Sequence, residues 1–279
     1  MADPSVWRDS EGRLRSGWVV TVFALVAVVS GIIIEGVIFA TGLGHGEYSL
    51  TSTKIAASAW GHLASGVLAT FVAWKLGQDA GLVRPRGLAW GVAAGAALLT
   101  VTVVLGGLAS GTVGLAACDS KLRDGVLQLL FVGPTAFGEE LWLRGAALRA
   151  LARGTHPVFA VLGTGLVFGA LHLLNPNASA VAALNVALVG IWFGAMAWRA
   201  QSVWPAFGAH LAWNWFEGFV WGQNVSGIQA GCSLFTATSQ PGFWGGGAFG
   251  PEASGLTAVL LALACAVTVV WPRSRPAGR

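Results

Sequence analysis

Long apolar runs constrain this chain more than any motif it carries. From Gly17 to Thr41 a single charged residue, Glu35, interrupts a stretch long enough to cross a bilayer, which takes about 20 apolar residues in helical form. Seven further runs follow, at Ile55–Leu76, Leu88–Leu115, Asp124–Arg153, Pro157–Leu174, Ala178–Ala200, Val203–Trp221 and Ser254–Trp271. Backbone N–H and C=O groups find no water in hydrocarbon, so a spanning segment must satisfy them internally, as a helix does. The expected fold is all-α: a polytopic membrane helical bundle of about eight transmembrane helices. No repeat period or long linker divides it, and residues 1–279 read as a single integral membrane domain. Only 10% of the residues are charged, against about a quarter in soluble domains.

The 16 Lys and Arg side chains are distributed unevenly. One face receives Arg8, Arg13, Arg15, Lys75, Arg84, Arg86, Arg149, Arg153, Arg199 and the C-terminal arginines Arg273, Arg275 and Arg279; the other receives Lys54, Lys121 and Arg123, and Arg144 lies within a span. By the positive-inside rule both termini are expected in the cytoplasm of a multi-pass cell-membrane protein. The net charge of +4 thus reports topology, and no basic patch with interleaved aromatics points to nucleic acid. The N-terminal MADPSVWRDSEGRLR, followed by a full-length span, reads as an uncleaved signal anchor. Cys118 and Cys232 fall in loops of the outer face, as a disulfide or as two thiols, while Cys265 lies in the last span. The loop from Gly222 to Ala253 reads as a plain outer loop, with a re-entrant cap as the alternative, and the short turn RGTHPVF predicts that spans four and five pack as an antiparallel hairpin.

The fourth span breaks its own composition with GEELWLRG, Gly138 to Gly145. Three charges at bilayer depth cost roughly 8–10 kcal/mol before any pairing, and chemistry is the natural reason to bear that cost. Glu140 and Arg144, four apart, share a helix face and suit an ion pair. Glu139 points about 100° away, free to face a cavity as a general base. Phe168 and His172 share a stripe on the fifth span, Phe168 as a wall and His172 as a second ligand for a catalytic water. His210 and Asn214 share one on the seventh, two donors able to stabilise a developing oxyanion. By rise per residue, Glu139 and His210 lie about 10–20 Å from the cytoplasmic ends of their spans and His172 at roughly 22 Å. Each group also has a plainer reading: a buried ion pair that fixes packing, a satisfied core histidine, an interhelical clamp. Glu217 reads as a cap near the outer surface or, alternatively, as an extension of the site, and Glu35 and Asn185 as packing contacts.

Other constellations are missing: the chain has no HExxH, no GxSxG, no pair of membrane aspartates and no phosphate-cradling glycine loop. What remains supports a carboxylate-activated water or a metal-bound one, the latter a zinc hydrolase built on Glu139, His172 and His210. A non-proteolytic membrane immunity or signalling partner built on the same buried network is the alternative from another class, and a transporter is a third.

Three ordered elements, E-E-x-x-x-R at Glu139–Arg144, F-x-x-x-H at Phe168–His172 and H-x-x-x-N at His210–Asn214, resemble the CPBP family. That family holds the type II CAAX prenyl endopeptidases and the bacteriocin-processing and self-immunity (ABI) proteins. The resemblance covers a motif-bearing core of about residues 122–219. It implies an intramembrane glutamic endopeptidase that works without metal or other cofactor on a membrane-associated peptide or protein. By the same resemblance Glu139 and His172 activate the water, His210 and Asn214 form the oxyanion hole, and Glu140 and Arg144, with Phe168, support the site. The compact chain and glycine-rich outer loop look more like a bacterial member, for which prenylated substrates are not expected.

Overall fold

A computed structural model describes residues 7–9, 14–41, 49–50, 52–83, 85, 87–110, 113–117, 119–237 and 240–270. Its helices are α1 (Ser16–Ala40), α2 (Thr53–Lys75), α3 (Leu88–Ser110), α4 (Lys121–Arg144), α5 (Ala146–Gly154), α6 (Pro157–Leu171), α7 (Ala180–Ala200), α8 (Trp204–Trp215) and α9 (Gly255–Val270). Two three-residue strands, β1 (Val113–Leu115) and β2 (Phe235–Ala237), pair antiparallel. Local chemistry sets several helix starts. Ser52 and Ser179 accept from the N–H groups of Ile55 and Ala182, and Pro157 occupies the first turn of α6 behind His156, whose Nδ1 accepts from Val158, as N-capping and an N1 proline require.

Every expected span carries a helix, and the molecule is an all-α membrane bundle. Among the described residues, α1, α2, α3, α7 and the run Pro157–Leu174 built on α6 are long and apolar enough to cross a bilayer. The other three fall short for separate reasons. α4 has 24 residues but carries the charges of Lys121, Arg123, Asp124 and the GEELWLR run. α8 has only 12 residues, although five more continue it as a π-helix, Phe216–Val220. α9 has 16.

α7 is the central helix. Its most apolar window is 67% buried, against 11% for α1, which shows most of its surface to the surroundings. α7 packs on α6 and α9, α3 on α8, and α2 on both α1 and α4. The α3–α8 contact is a backbone one: a Cβ on Gly95 would stand 2.2 Å from the Ala209 carbonyl oxygen, the close approach that small residues permit between membrane helices.

Several boundaries depart from the sequence reading. The run Asp124–Arg153 is two helices, broken at Gly145, whose N–H donates to the Glu140 carbonyl. A Cβ there would meet the Leu141 carbonyl oxygen at 2.6 Å, so the break needs glycine. With α5 inserted after the break, the expected hairpin of spans four and five does not form: α6 packs chiefly on α7, and α4 on α2 and α8. The third run ends as a helix at Ser110, and Val113–Leu115 pairs instead with Phe235–Ala237 of the long loop. That loop is not a plain surface connection, since Val225, Ala237, Phe249 and Glu252 are all buried. Cys232 is disulfide-bonded and Cys265 is a free thiol; Cys118 lies outside the described residues, as do the N-terminal segment 1–6 and the C-terminal arginines.

Candidate active site

α4 brings the carboxylates. Four residues apart on one face, Glu140 and Arg144 are both fully buried, and Arg144 Nη1 donates to Glu140 Oε1 at 3.1 Å. Its other terminal nitrogen, Nη2, donates to the Gly190 carbonyl of α7 at 2.9 Å. Only glycine allows that reach, because a Cβ on residue 190 would sit 3.0 Å from Nη2 and 2.9 Å from the Gly165 Cα of α6. The guanidinium also lies over two rings, its Cζ 4.6 Å from the Phe168 centroid and 5.7 Å from that of Phe193, a cation–π arrangement that partly replaces lost hydration.

From α8, His210 reaches both glutamates. Its Nδ1 is 2.9 Å from Glu140 Oε1 and its Nε2 is 3.7 Å from Glu139 Oε2. A carboxylate can only accept, so Nδ1 carries the hydrogen and donates. The ring stacks on Phe193 at 5.1 Å and meets Phe168 edge-on at 5.7 Å, which fixes its plane. The 100° between adjacent helix residues decides the rest: the Glu140 side chain is 0% exposed and that of Glu139 is 16%. Only Glu139 is open to a reactant.

His172 is the C-cap of α6 and the first residue of a short 3₁₀ turn, His172–Leu174. Its Nδ1 lies 2.8 Å from the Phe168 carbonyl, which again only accepts. Nδ1 therefore carries a hydrogen, and in the neutral tautomer that this bond selects Nε2 is an acceptor. The His172 centroid is 4.5 Å from that of Phe168. Phe168 thus touches His172, His210 and Arg144, and the greater depth counted along α6 does not separate His172 from the group. Asn214, one turn beyond His210, is half-buried and makes no side-chain hydrogen bond among the described residues. Glu140 Oε2 and Arg144 Nε are buried without a hydrogen-bond partner among them.

The sequence reading missed Phe193, the Gly190 carbonyl and one acid of the outer loop. Glu217 is not a surface cap: it is fully buried. Glu252 is also buried; Ser226 Oγ donates to its Oε2 at 2.6 Å, and Asn185 Nδ2 donates to its main-chain carbonyl at 2.7 Å and to that of Ser254 at 2.8 Å. Burial holds the Glu252 carboxyl above the usual carboxylate range, against the opposing pull of Ser226, His172 and His210. Asn185 is the packing contact expected of it. Glu35 accepts from Ser58 Oγ at 2.7 Å on an exposed face. The zinc alternative needs three ligands on one point, and among the described residues no group of three or more His, Cys, Asp or Glu is so placed.

Residues 123–216 match the family model described as type II CAAX prenyl endopeptidase, Rce1-like. The match runs from the third residue of α4 to the residue after α8 and leaves α1–α3 and α9 outside. It agrees with the family resemblance drawn from the three motifs, over the same core of the chain. No curated protein and no solved structure matches the chain.

Proposed function

We propose that this chain is an intramembrane glutamic endopeptidase of the cell membrane, with both termini cytoplasmic and residues 122–219 as the catalytic core of one membrane domain. Its substrate is a membrane-associated peptide or protein. The observation that carries the reading is the His210 imidazole held between two carboxylates, one sealed against Arg144 and one open. A packing network alone gains nothing from leaving one glutamate open.

Glu139 takes a proton from a water that His172 Nε2 orients, and the resulting hydroxide attacks the scissile carbonyl carbon. The C=O electron pair moves onto oxygen, where His210 Nε2 and the Asn214 amide donate. With Nδ1 committed to Glu140, His210 donates from Nε2 only as an imidazolium, and the carboxylates on either side balance that charge. The oxyanion pair then re-forms the C=O bond as the C–N bond breaks, and Glu139 passes its proton to the departing amine nitrogen, which restores its carboxylate and leaves a carboxylic acid and an amine. The negative charge lost from Glu139 in the first step reappears on the oxyanion, so the site's net charge is constant. In a low-dielectric interior that constancy matters, and each aimed donor contributes on the order of 2.7–4 kcal/mol. The arginine asymmetry of the sequence supports the orientation.

Comparative peptidomics of membranes from cells with the wild-type chain or Glu139→Gln tests this reading. Expected is at least one peptide released only by the wild type, at equal protein levels. Identical peptide profiles would overturn it.

A further inference from the structure

Two buried acids stand outside the mechanism above, and both lie at the outer end of its histidines. Glu217 is seven residues beyond His210, close to a whole number of helical turns, so His210, Asn214 and Glu217 follow one stripe of the α8 helix and its π-helical extension. It is fully buried, neither carboxylate oxygen has a close hydrogen-bond donor among the described residues, and the Trp213 indole is the polar group set against it. A buried, unpartnered carboxyl needs a reason, and π turns inside helices recur at functional sites.

Glu252 comes from the opposite side, on the loop that closes the outer end. The loop backbone presses directly on Glu217: a Cβ on Gly250, itself at φ +114, would stand 3.1 Å from Glu217 Oε1. Clamped by Asn185 and Ser226, Glu252 is 4% exposed. A polar strap leads back to the site, from Glu252 to Ser226 Oγ, from the Ser226 carbonyl to Asn175 Nδ2 at 3.1 Å, and from Asn175 N to the His172 carbonyl at 3.1 Å. His172, His210 and Glu217 also lie near enough for their charges to act on Glu252 or it on them.

We propose that Glu252, backed by Glu217, is a positioning residue of the proposed endopeptidase site: through Ser226 and Asn175 it holds the turn that carries His172, and its carboxyl acts on the charge of the two imidazoles. The inference rests on the endopeptidase reading. The groups set against Glu252 are Ser226 and Asn185, those set against Glu217 are Trp213 and the Gly250 backbone, and His172 and His210 lie within reach of the Glu252 charge; Glu139 and Glu140 of α4 face His210, with Arg144 against Glu140. The loop that carries Ser226 and Glu252 thereby becomes part of the machinery.

The test uses the full chain in nanodiscs, as wild type, Glu252→Gln, Glu252→Asp and Glu139→Gln. The glutamine keeps an acceptor for Ser226, so folding is expected to survive, checked by a thermal midpoint no lower than wild type. With ¹⁵N-histidine labelling, the ring resonances of His172 and His210 are expected to move at neutral pH in Glu252→Gln, while those of His62 and His156 stay. On the peptide whose release requires Glu139, Glu252→Gln is expected to lower kcat at least tenfold with KM within about threefold and to displace the pH–rate profile, with Glu252→Asp recovering part of both. Superimposable ring resonances and an unmoved pH profile in a folded Glu252→Gln protein would overturn the proposal. Should Glu139→Gln itself keep full activity, the endopeptidase reading fails instead, and the ring resonances still report on Glu252.

Discussion

Between Glu139 and Glu140 lies a turn of about 100° around α4, and it separates a carboxylate with some access to its surroundings from one with none. Replacing each therefore has a different consequence. Glu139→Gln is isosteric and sits at the open position, so peptide hydrolysis is expected to fall by about 10²–10⁴ while the thermal midpoint stays near wild type. Arg144→Met acts on the fold. It leaves Glu140 buried beside His210 without its cation, and losing one partner of such a pair costs about 3–5 kcal/mol, measured as a lowered midpoint in detergent. The Glu140–Arg144 pair was legible because a helix brings residues four apart together. The grip of His210 on Glu140 was not, since nothing local relates positions 70 residues apart. The same holds for the Gly190 carbonyl, a main-chain group with no side-chain signature.

At the scale of elements, Gly145 decides how the charged helix ends. The break lets α4 stop at Arg144 and sends α5 off as a separate amphipathic piece against α1. Gly145→Ala puts a Cβ against the Leu141 carbonyl, so we expect a loss of about 1–3 kcal/mol by overpacking in thermal unfolding, with hydrolysis reduced alongside. Apolar composition could not reveal this break, because GAALRALAR is as good a helix as the run before it and no proline marks the joint. The strand at Val113–Leu115 was hidden for a related reason: a short apolar run suits helix and strand alike, and its partner lies across the long loop. The burial of Glu217 and Glu252 escaped the sequence because a glutamate near a span end ordinarily caps it, and only the folded loop removes it from water.

For the whole molecule, the buried loop predicts a pH dependence. The Glu252 carboxyl is raised from its ordinary value of 4.5, first of all by burial, so across the window from that value upward the folded chain holds more protons than the unfolded one. Stability must then fall as pH rises through the window. Glu252→Gln is expected to flatten that slope and to raise the thermal midpoint at neutral pH; a midpoint with the wild-type slope would show that the loop carboxyl does not titrate this way. Orientation is tested separately. A fluorescent-protein fusion at Arg279 is expected to fluoresce and an alkaline phosphatase fusion there to be inactive, whereas the reverse would place the C-terminus outside. The overall architecture was the most legible feature, since hydrocarbon leaves a chain of this composition few alternatives to packed helices. How those helices group was not legible, because their lipid-facing and protein-facing surfaces are almost equally apolar.

The central claim is that Glu139 and His172 act on one water in one hollow. Groups that work as a unit lose activity together, so their separate removals do not multiply. The direct measurement is the hydrolysis rate of Glu139→Gln, His172→Gln and the double variant on the same released peptide. Each single variant is predicted to lose most of the activity and the double variant to be no slower than the slower single. Multiplying losses, or a wild-type rate in either single variant, would contradict the shared site.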